Sequence, residues 1–188
     1  MPTDDDSKEK RDFEESCKLS VEEIVREHIE DLDVSWTKSN YDYVMNELGN
    51  KNIRKVYEIL GPMNLSIMAN YKFPKSWPLE EIKQALADMK AERVWQQEFI
   101  QRKSGAQYRG QVAIHNGRPD GMGLKIFNST SIYEGFFENG SCHGTGRAIS
   151  SKGEVYQGEF KSDMMSGRGY FMWPDGRIYE GDWFENKK

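Results

Sequence analysis

A Tyr-x-Gly pattern recurs in the carboxy-terminal part of this 188-residue chain, beginning at Tyr108, Tyr133, Tyr156 and Tyr179. Successive tyrosines are 25, 23 and 23 residues apart. Repetition at a fixed period is the signature of a repeat architecture, in which each unit buries its apolar face against its neighbours. The sequence therefore predicts an array of three full repeats and a half repeat over residues 104–188.

Each full unit also contains a Gly-x-Gly pair, at 121–123, 144–146 and 167–169. Alternate residues of a strand share a face, so positions one, three and five of each unit point the same way. We predict antiparallel hairpins, with return turns at 152–153 and 175–176. The predicted inward set is Tyr108, Gly110, Val112, Tyr133, Gly135, Phe137, Tyr156, Gly158, Phe160, Tyr179, Gly181 and Trp183.

The glycine pairs leave backbone without side-chain cover, and we predict that an aromatic ring from the next unit lies over each pair. The segment 179–183 then covers the third unit, although a whole fourth unit is not built. The strand edge that remains must be blunted by charge or paired with another chain. Glu185, Lys187 and Lys188 would blunt it, and docking of a partner strand is the open alternative.

These features together resemble the MORN repeat, the membrane occupation and recognition nexus motif. The resemblance covers residues 108–183, does not extend to residues 1–107, and implies a single-layer sheet of stacked hairpins. The first unit departs from the pattern: Val112 replaces an aromatic residue, Thr130 replaces a glycine, and the turn is two residues longer. We predict that this unit is an atypical cap facing the amino-terminal helices.

Residues 1–107 have apolar residues at helical spacing instead. Residues 1–18 are charged and lack periodicity, which predicts an acidic flexible tail. A capping box at 20–23 begins a short helix. Two further helices are predicted over about 39–48 and 52–60, because glycines follow both segments.

A longer helix is predicted after Pro78, with apolar residues from Leu79 to Met89. The same spacing continues the predicted helix through Val94, Trp95, Phe99 and Ile100. Residues 19–103 are therefore predicted to form a helical region. The expected fold class is α+β, a helical amino-terminal region followed by a single-layer antiparallel β-sheet of stacked MORN hairpins.

Charge argues against two classes of ligand. The net charge is −5, but residues 108–188 contain ten acidic and ten basic residues, so the excess belongs to residues 1–107. No basic stripe is available to bind nucleic acid. The same neutrality disfavours acidic phospholipid, which attracts clustered Lys and Arg.

The start of the chain is acidic, unlike a secretory signal, and no apolar run approaches the roughly 20 residues that cross a bilayer. These features predict a cytoplasmic protein. Cys17 and Cys142 lie in different segments and are predicted to be free thiols.

No set of residues in the sequence has the spacing of a recognised active-site motif. His28, His115 and His143 form no metal-binding pattern, and the glycine pairs are not a phosphate-binding loop. We expect a protein that is not an enzyme, with no catalytic residues, metal, cofactor or small-molecule substrate.

Apolar side chains stand where the repeat pattern expects polar ones. Phe136 occupies a position that is Gln111, Glu159 or Asp182 in the other units, and the returning strand of the third unit is apolar on both faces. Aromatic and Met side chains are enriched at the centres of interfaces. The predicted partner-binding residues are Phe136, Met164, Met165, Tyr170, Phe171, Met172 and Trp173. The alternative is that one of these faces packs under the amino-terminal helices.

The resemblance implies a binding role, because MORN arrays occur in cytoskeletal and ciliary scaffolds, in membrane-junction proteins and beside enzymatic domains. We expect a scaffold or adaptor subunit of a larger protein assembly, in the cytoskeleton or the axoneme of a cilium, with other proteins as partners. The alternatives are a peripheral membrane tether that binds acidic phospholipids and an accessory subunit of an enzyme complex.

Overall fold

The computed structural model of the chain describes residues 36–63, 93–128 and 130–188. Two helices, α1 over residues 36–47 and α2 over Lys51–Leu60, precede an eight-stranded antiparallel sheet. The strands are β1 (Arg93–Gln101), β2 (Gln107–Ala113), β3 (Pro119–Phe127), β4 (Ser131–Glu138), β5 (Ser141–Ser150), β6 (Val155–Lys161), β7 (Met164–Met172) and β8 (Ile178–Trp183). The predicted tail over 1–18, the helix that begins at Ser20 and the helix over 79–92 lie outside the described residues.

Every strand pairs with its neighbours in sequence, so the order across the sheet is β1 to β8 without a crossover. Each predicted unit is a hairpin, and the predicted return turns are present. At both turns a glycine, Gly153 or Gly176, has positive φ and donates its N–H to the carbonyl three residues earlier. The fold class α+β with stacked hairpins is confirmed.

The predicted long helix is wrong from Arg93 onward, because residues 93–101 form strand β1 and pair with β2. Trp95 and Phe99 pack toward the helices, while Ile100 packs on the opposite face of the sheet. The first repeat is consequently flanked by a strand at its edge, whereas we expected the helices there. The sheet begins eleven residues before the boundary predicted at 104.

Both helices end where the sequence predicts. The side chain of Asn50 caps α2 by accepting a hydrogen bond of 3.0 Å from the Ile53 N–H. At the other end Gly61 has φ +69° and donates to the Tyr57 carbonyl at 2.8 Å. These caps fix the length of α2, and the helix turns its buried residues, Ile53 and Tyr57, toward the sheet.

The sheet carries a different apolar cluster on each face. The helix face packs against α1 and α2, and its buried residues include Leu124, Ile132, Ile149 and Val155. The opposite face, which we call the tyrosine face, is formed by the recurring aromatic residues. Its buried members are Tyr108, Val112, Tyr133, Phe137, Cys142, Tyr156, Phe160 and Trp183. The face predicted from the repeat pattern is therefore present.

Candidate functional site

A row of glycines crosses the sheet from β2 to β8, with one glycine from each strand paired to the next. The register brings Gly110, Gly123, Gly135, Gly146, Gly158, Gly169 and Gly181 side by side. Glycine in adjacent strands leaves a strip of bare backbone on which a flat ring can lie. This glycine row explains why each repeat needs glycine at its third position and at the second position of its Gly-x-Gly pair. The first glycine of each pair, at 121, 144 and 167, has positive φ instead.

The recurring tyrosines lie over this row and are anchored by their hydroxyl groups. Each hydroxyl donates to the backbone carbonyl three residues further along its own strand. The distances are 2.5 Å for Tyr108, 2.9 Å for Tyr133 and Tyr156, and 3.2 Å for Tyr179. Burial raises the pKa of Tyr108, Tyr133 and Tyr156, so these side chains remain neutral phenols that can donate.

The prediction that each glycine pair is covered mainly by a ring of the next unit is wrong. A Cβ atom at Gly123 or Gly169 would first meet the tyrosine of its own unit, Tyr108 or Tyr156. The tyrosine side chain leans along its strand, which places the ring over the pair formed by its own Gly and the glycine opposite. The next unit does contribute, because Trp183 Nε1 donates to the Gly169 carbonyl at 3.3 Å.

The fifth-position residue of each following unit packs edge-on between two tyrosines. Phe137 lies between Tyr108 and Tyr133, with both ring centroids at 5.1 Å. Phe160 and Trp183 repeat this arrangement, at centroid distances of 4.9 to 5.4 Å and interplanar angles of 79° to 86°. We call the resulting series the ring ladder: Tyr108, Phe137, Tyr133, Phe160, Tyr156, Trp183 and Tyr179.

Helix α2 is fixed to the other face of the sheet by a buried ionic cluster, which we call the helix clamp. The Tyr57 hydroxyl donates to Glu134 at 2.5 Å, and Arg147 pairs with the same carboxylate at 2.8 Å. Arg147 also donates to the carbonyl of Gly61, at the end of α2. Burial, and then the negative charge of Glu134, raise the pKa of Tyr57. A buried carboxylate with these partners ties α2 to β4 and β5.

The contact of α1 with the sheet lies further toward β1 and is built around Arg109 of β2. The Arg109 guanidinium donates to Ser39 at 2.5 Å and lies 5.0 Å from the ring of Trp36. The ring of Tyr43 stacks on Phe99 with centroids 3.9 Å apart. Burial lowers the pKa of Arg109, which nevertheless remains a cation. Strand β1 therefore provides part of the surface on which α1 rests.

Phe136, which we predicted to bind a partner, is only 4% exposed and belongs to the cluster beneath the helices. Its position on the helix face of β4 is the reason, because the buried side chains of this face, such as Met122 and Ile132, form one cluster with it. An exposed role for Phe136 is therefore wrong. The alternative stated from the sequence, packing of one apolar face under the helices, agrees with the cluster that Phe136 shares with buried residues of α1 and α2.

The six predicted residues at β7 remain half-buried and divide between the two faces. Met165 and Phe171 pack against the cluster of the tyrosine face, and Met172 packs against the helix-face cluster. The hydroxyl of Tyr170 lies 3.5 Å from Gln157. Trp173 follows β7 and its ring centroid is 4.8 Å from that of Phe171. These residues therefore form a band on both faces of one strand.

Several residues that organise these surfaces were missed or assigned only to the core. Glu134 and Arg147 occupy outward positions of the repeat, where a charged residue predicts solvent exposure, and nothing in the spacing marked them as buried partners. Tyr179 and Trp183 were predicted as inward rings, yet Trp183 also contacts Phe171, with centroids 5.9 Å apart. The sequence signal for the ring contacts of Trp183 is the aromatic residue that recurs at the fifth position of the repeat units.

Reactive side chains do not converge in the described part of the chain. No group of three or more His, Cys, Asp or Glu residues there is arranged to hold a metal ion. Cys142 is a buried free thiol whose pKa is raised by burial and then by Asp163, which disfavours a thiolate. His143 lies 3.2 Å from Glu138 at the surface. Neither described helix is long and apolar enough to cross a bilayer.

Comparison with known families identifies the hairpins. The family model for the MORN repeat matches residues 133–155 and 156–176, which are the second repeat and most of the third. No curated protein matches the chain. MORN repeats take part in binding proteins and membranes and are generally not catalytic. The matched segments coincide with the hairpins that hold the centre of the ring ladder, and the hairpins over residues 133–176 are thus MORN repeats.

Proposed function

We propose that this chain is a non-enzymatic scaffold or adaptor that binds other proteins through the β7–β8 end of its sheet. The binding area, which we call the distal surface, comprises the six half-buried residues of the β7 band and two exposed side chains. Ile178 is 64% exposed and Phe184 is 71% exposed. Exposed aromatic and aliphatic groups beside half-buried Met and Trp are the composition of an interface centre.

The observation that carries this proposal is the limited cover provided by the helices. Among the described residues, α1 and α2 make hydrogen bonds and ring contacts with β1, β2, β4, β5 and the turn at Ser151. Within this described part of the chain, they make none with β7 or β8. The apolar side chains of β7 therefore keep part of their surface in water on both faces. Binding of a partner would remove that surface from water.

The distribution of charge favours a protein partner over an acidic membrane. Ten acidic and ten basic residues are interspersed over 108–188, and near β8 the exposed cations alternate with Asp175, Glu180, Asp182 and Glu185. Recruitment to anionic lipid requires a cluster of unopposed Lys or Arg, each contributing about 1 kcal/mol. The sheet offers no such cluster among its described residues.

For the cellular setting we propose a stable cytoskeletal assembly, such as the axoneme of a cilium. This part of the proposal rests on the occurrence of MORN arrays in such structures and not on a residue of this chain. It predicts that the protein remains with the detergent-insoluble cytoskeletal fraction of its native cells. Recovery in a membrane fraction that detergent dissolves would support the tether instead.

The binding area is tested by quantitative capture of partners from native extract with three forms of the full chain. We expect the wild type to retain a defined set of proteins that the Ile178→Ser/Phe184→Ser variant loses. The matched control is Ile59→Ser, because Ile59 is 74% exposed on α2, away from the distal surface. Equal capture by all three forms would refute the distal surface.

A second measurement separates the alternatives. Sedimentation with vesicles of neutral lipid, with and without phosphatidylserine, should leave the protein in the supernatant. Salt-sensitive binding to the anionic vesicles would favour a membrane tether. Copurification with one enzyme in fixed stoichiometry, together with a change in its rate, would identify an accessory subunit.

A further inference from the structure

The ring ladder ends beside a cation. The ammonium nitrogen of Lys188 lies 3.9 Å from the ring centroid of Trp173 and 5.1 Å from that of Tyr179. It also lies 5.8 Å from Trp183 and 5.9 Å from Phe171. All of these distances fall within the about 6 Å at which an aromatic ring attracts a cation. We call Phe171, Trp173, Tyr179 and Trp183 the ring cage.

A tight turn brings Lys188 to the cage. Phe184 and Lys187 exchange backbone hydrogen bonds of 2.8 and 2.9 Å, with Glu185 and Asn186 at positive φ between them. Asn186 fixes this turn to β7, since its N–H donates to the Met165 carbonyl at 3.0 Å and its side chain accepts from the Met165 N–H at 2.8 Å. The residue after the turn therefore returns over the rings of β7 and β8.

The rings, and not a carboxylate, hold the ammonium group. Lys188 forms no salt bridge with the described residues, whereas nearby Arg177 is paired with Asp175 at 2.8 Å. Lys188 is itself exposed, so the cage opens to solvent on the side from which the cation enters. The attraction is between the cation and the electron-rich ring faces.

The terminal tyrosines of the ladder, Tyr108 and Tyr179, each contact one ladder ring, but Tyr108 is fully buried whereas Tyr179 is half-buried. Tyr133 lies between Phe137 and Phe160, and Tyr156 lies between Phe160 and Trp183. Among the described rings, Tyr179 contacts only Trp183 of the ladder. The ammonium group of Lys188 approaches this incompletely covered ring. The ladder thus leaves a ring surface here that accepts a cation.

We propose that the ring cage is a binding site for the lysine side chain of a partner protein, which displaces Lys188. This inference deepens the proposed partner-binding role and rests on it. The bound group in the structure is itself a lysine ammonium, which sets the chemical class of the ligand. Lys188 competes from within the same chain at a high effective concentration, so its removal exposes the full affinity of the cage.

The test uses the 188-residue chain with Lys188→Ala and follows the indole N–H signals by NMR during titration with acetyl-Gly-Lys-Gly-amide. We expect the signals of Trp173 and Trp183 to move and those of Trp36 and Trp95 to stay. Wild-type protein should bind the peptide about fivefold or more weakly because Lys188 competes. Lys187→Ala is the matched control and should behave as wild type.

Specificity is tested with the same peptide carrying norleucine, which keeps the aliphatic chain and removes the charge. Norleucine binding as tight as lysine binding would overturn the proposal, and so would unshifted Trp173 and Trp183 signals in Lys188→Ala. Choline binding tighter than the lysine peptide would overturn the assignment to a lysine side chain. Lys188→Ala/Trp173→Leu should lose the response, with an unfolding midpoint that confirms a folded chain.

The two proposals fail in different ways. If the lysine peptide does not bind while Ile178→Ser/Phe184→Ser still loses the captured partners, the distal surface stands and the ring cage does not. If the peptide binds but partner capture is unchanged by every variant, the cage is a cation site without the proposed scaffold role at this end.

Discussion

A Cβ atom at Gly169 would lie 2.5 Å from the hydroxyl oxygen of Tyr156, inside the space that the tyrosine ring fills. The backbone of Gly169 does not have positive φ, so the constraint on this glycine is steric. Gly169→Ala should therefore lower the free energy of unfolding by about 1–3 kcal/mol. Urea denaturation followed by circular dichroism measures this change.

The matched control is Gly49→Ala, because a Cβ atom there would meet nothing within 4 Å and its φ is not positive. Removing the ring should relieve the conflict, so Gly169→Ala should cost less in a Tyr156→Ala background than in the wild type. Additive effects of the two substitutions would show that Tyr156 is not the obstacle.

Tyr156 itself should be among the most sensitive positions of the array. Tyr156→Ala removes a buried ring that contacts Phe160 and Trp183, at an expected cost of about 3–5 kcal/mol. Tyr156→Phe keeps the ring and loses only the hydrogen bond to the Glu159 carbonyl, at about 1 kcal/mol. Equal losses for the two variants, measured by chemical denaturation, would contradict the role of the ring.

We expect substitutions of the helix-clamp residues to lower the free energy of unfolding by different amounts. Glu134→Ala leaves Arg147 charged and buried, which should cost about 3–5 kcal/mol, whereas Tyr57→Phe removes one neutral donor and should cost about 1–2 kcal/mol. Hydrogen exchange should show faster opening of α2 in both variants, with β7 unaffected. Glu180→Ala, at an exposed position of β8, is the control.

Phe136 gives a direct test of the corrected assignment. Because this side chain is buried in the helix-face cluster, Phe136→Ala should lower stability by about 3–5 kcal/mol, whereas an exposed anchor would change it little. Thermal unfolding provides the readout. An unchanged midpoint accompanied by lost partner capture would restore the original interpretation of Phe136 as an interface residue.

The tyrosine face could be predicted because two signals agree. The tyrosine and glycine at alternate positions require strand periodicity, and the 23-residue spacing places equivalent positions in register. Which glycine each ring covers was not predictable in this way. That depends on the direction in which Tyr156 leans along its strand and on the pairing of Gly158 with Gly169, which only the register reveals.

Strand β1 and the helix clamp were missed for different reasons. Trp95 and Phe99 are four residues apart, a spacing that places two side chains on one face of a helix and equally on one face of a strand. Glu134 and Arg147 are charged, and their burial follows from Tyr57 and Gly61, which are distant in sequence. Local sequence patterns do not identify partners that only tertiary packing brings together.

The consecutive order of the strands determines how this protein responds to mechanical load. Because each strand is joined only to its sequence neighbours, tension applied across the width of the sheet loads the hydrogen-bond ladders in series, and the weakest ladder separates first. The edge at β8 lies beyond the helix contacts, so it should peel first, while α1 and α2 brace the earlier hairpins. An assembly that pulls on this chain would therefore extend it in hairpin-sized steps instead of rupturing it at once.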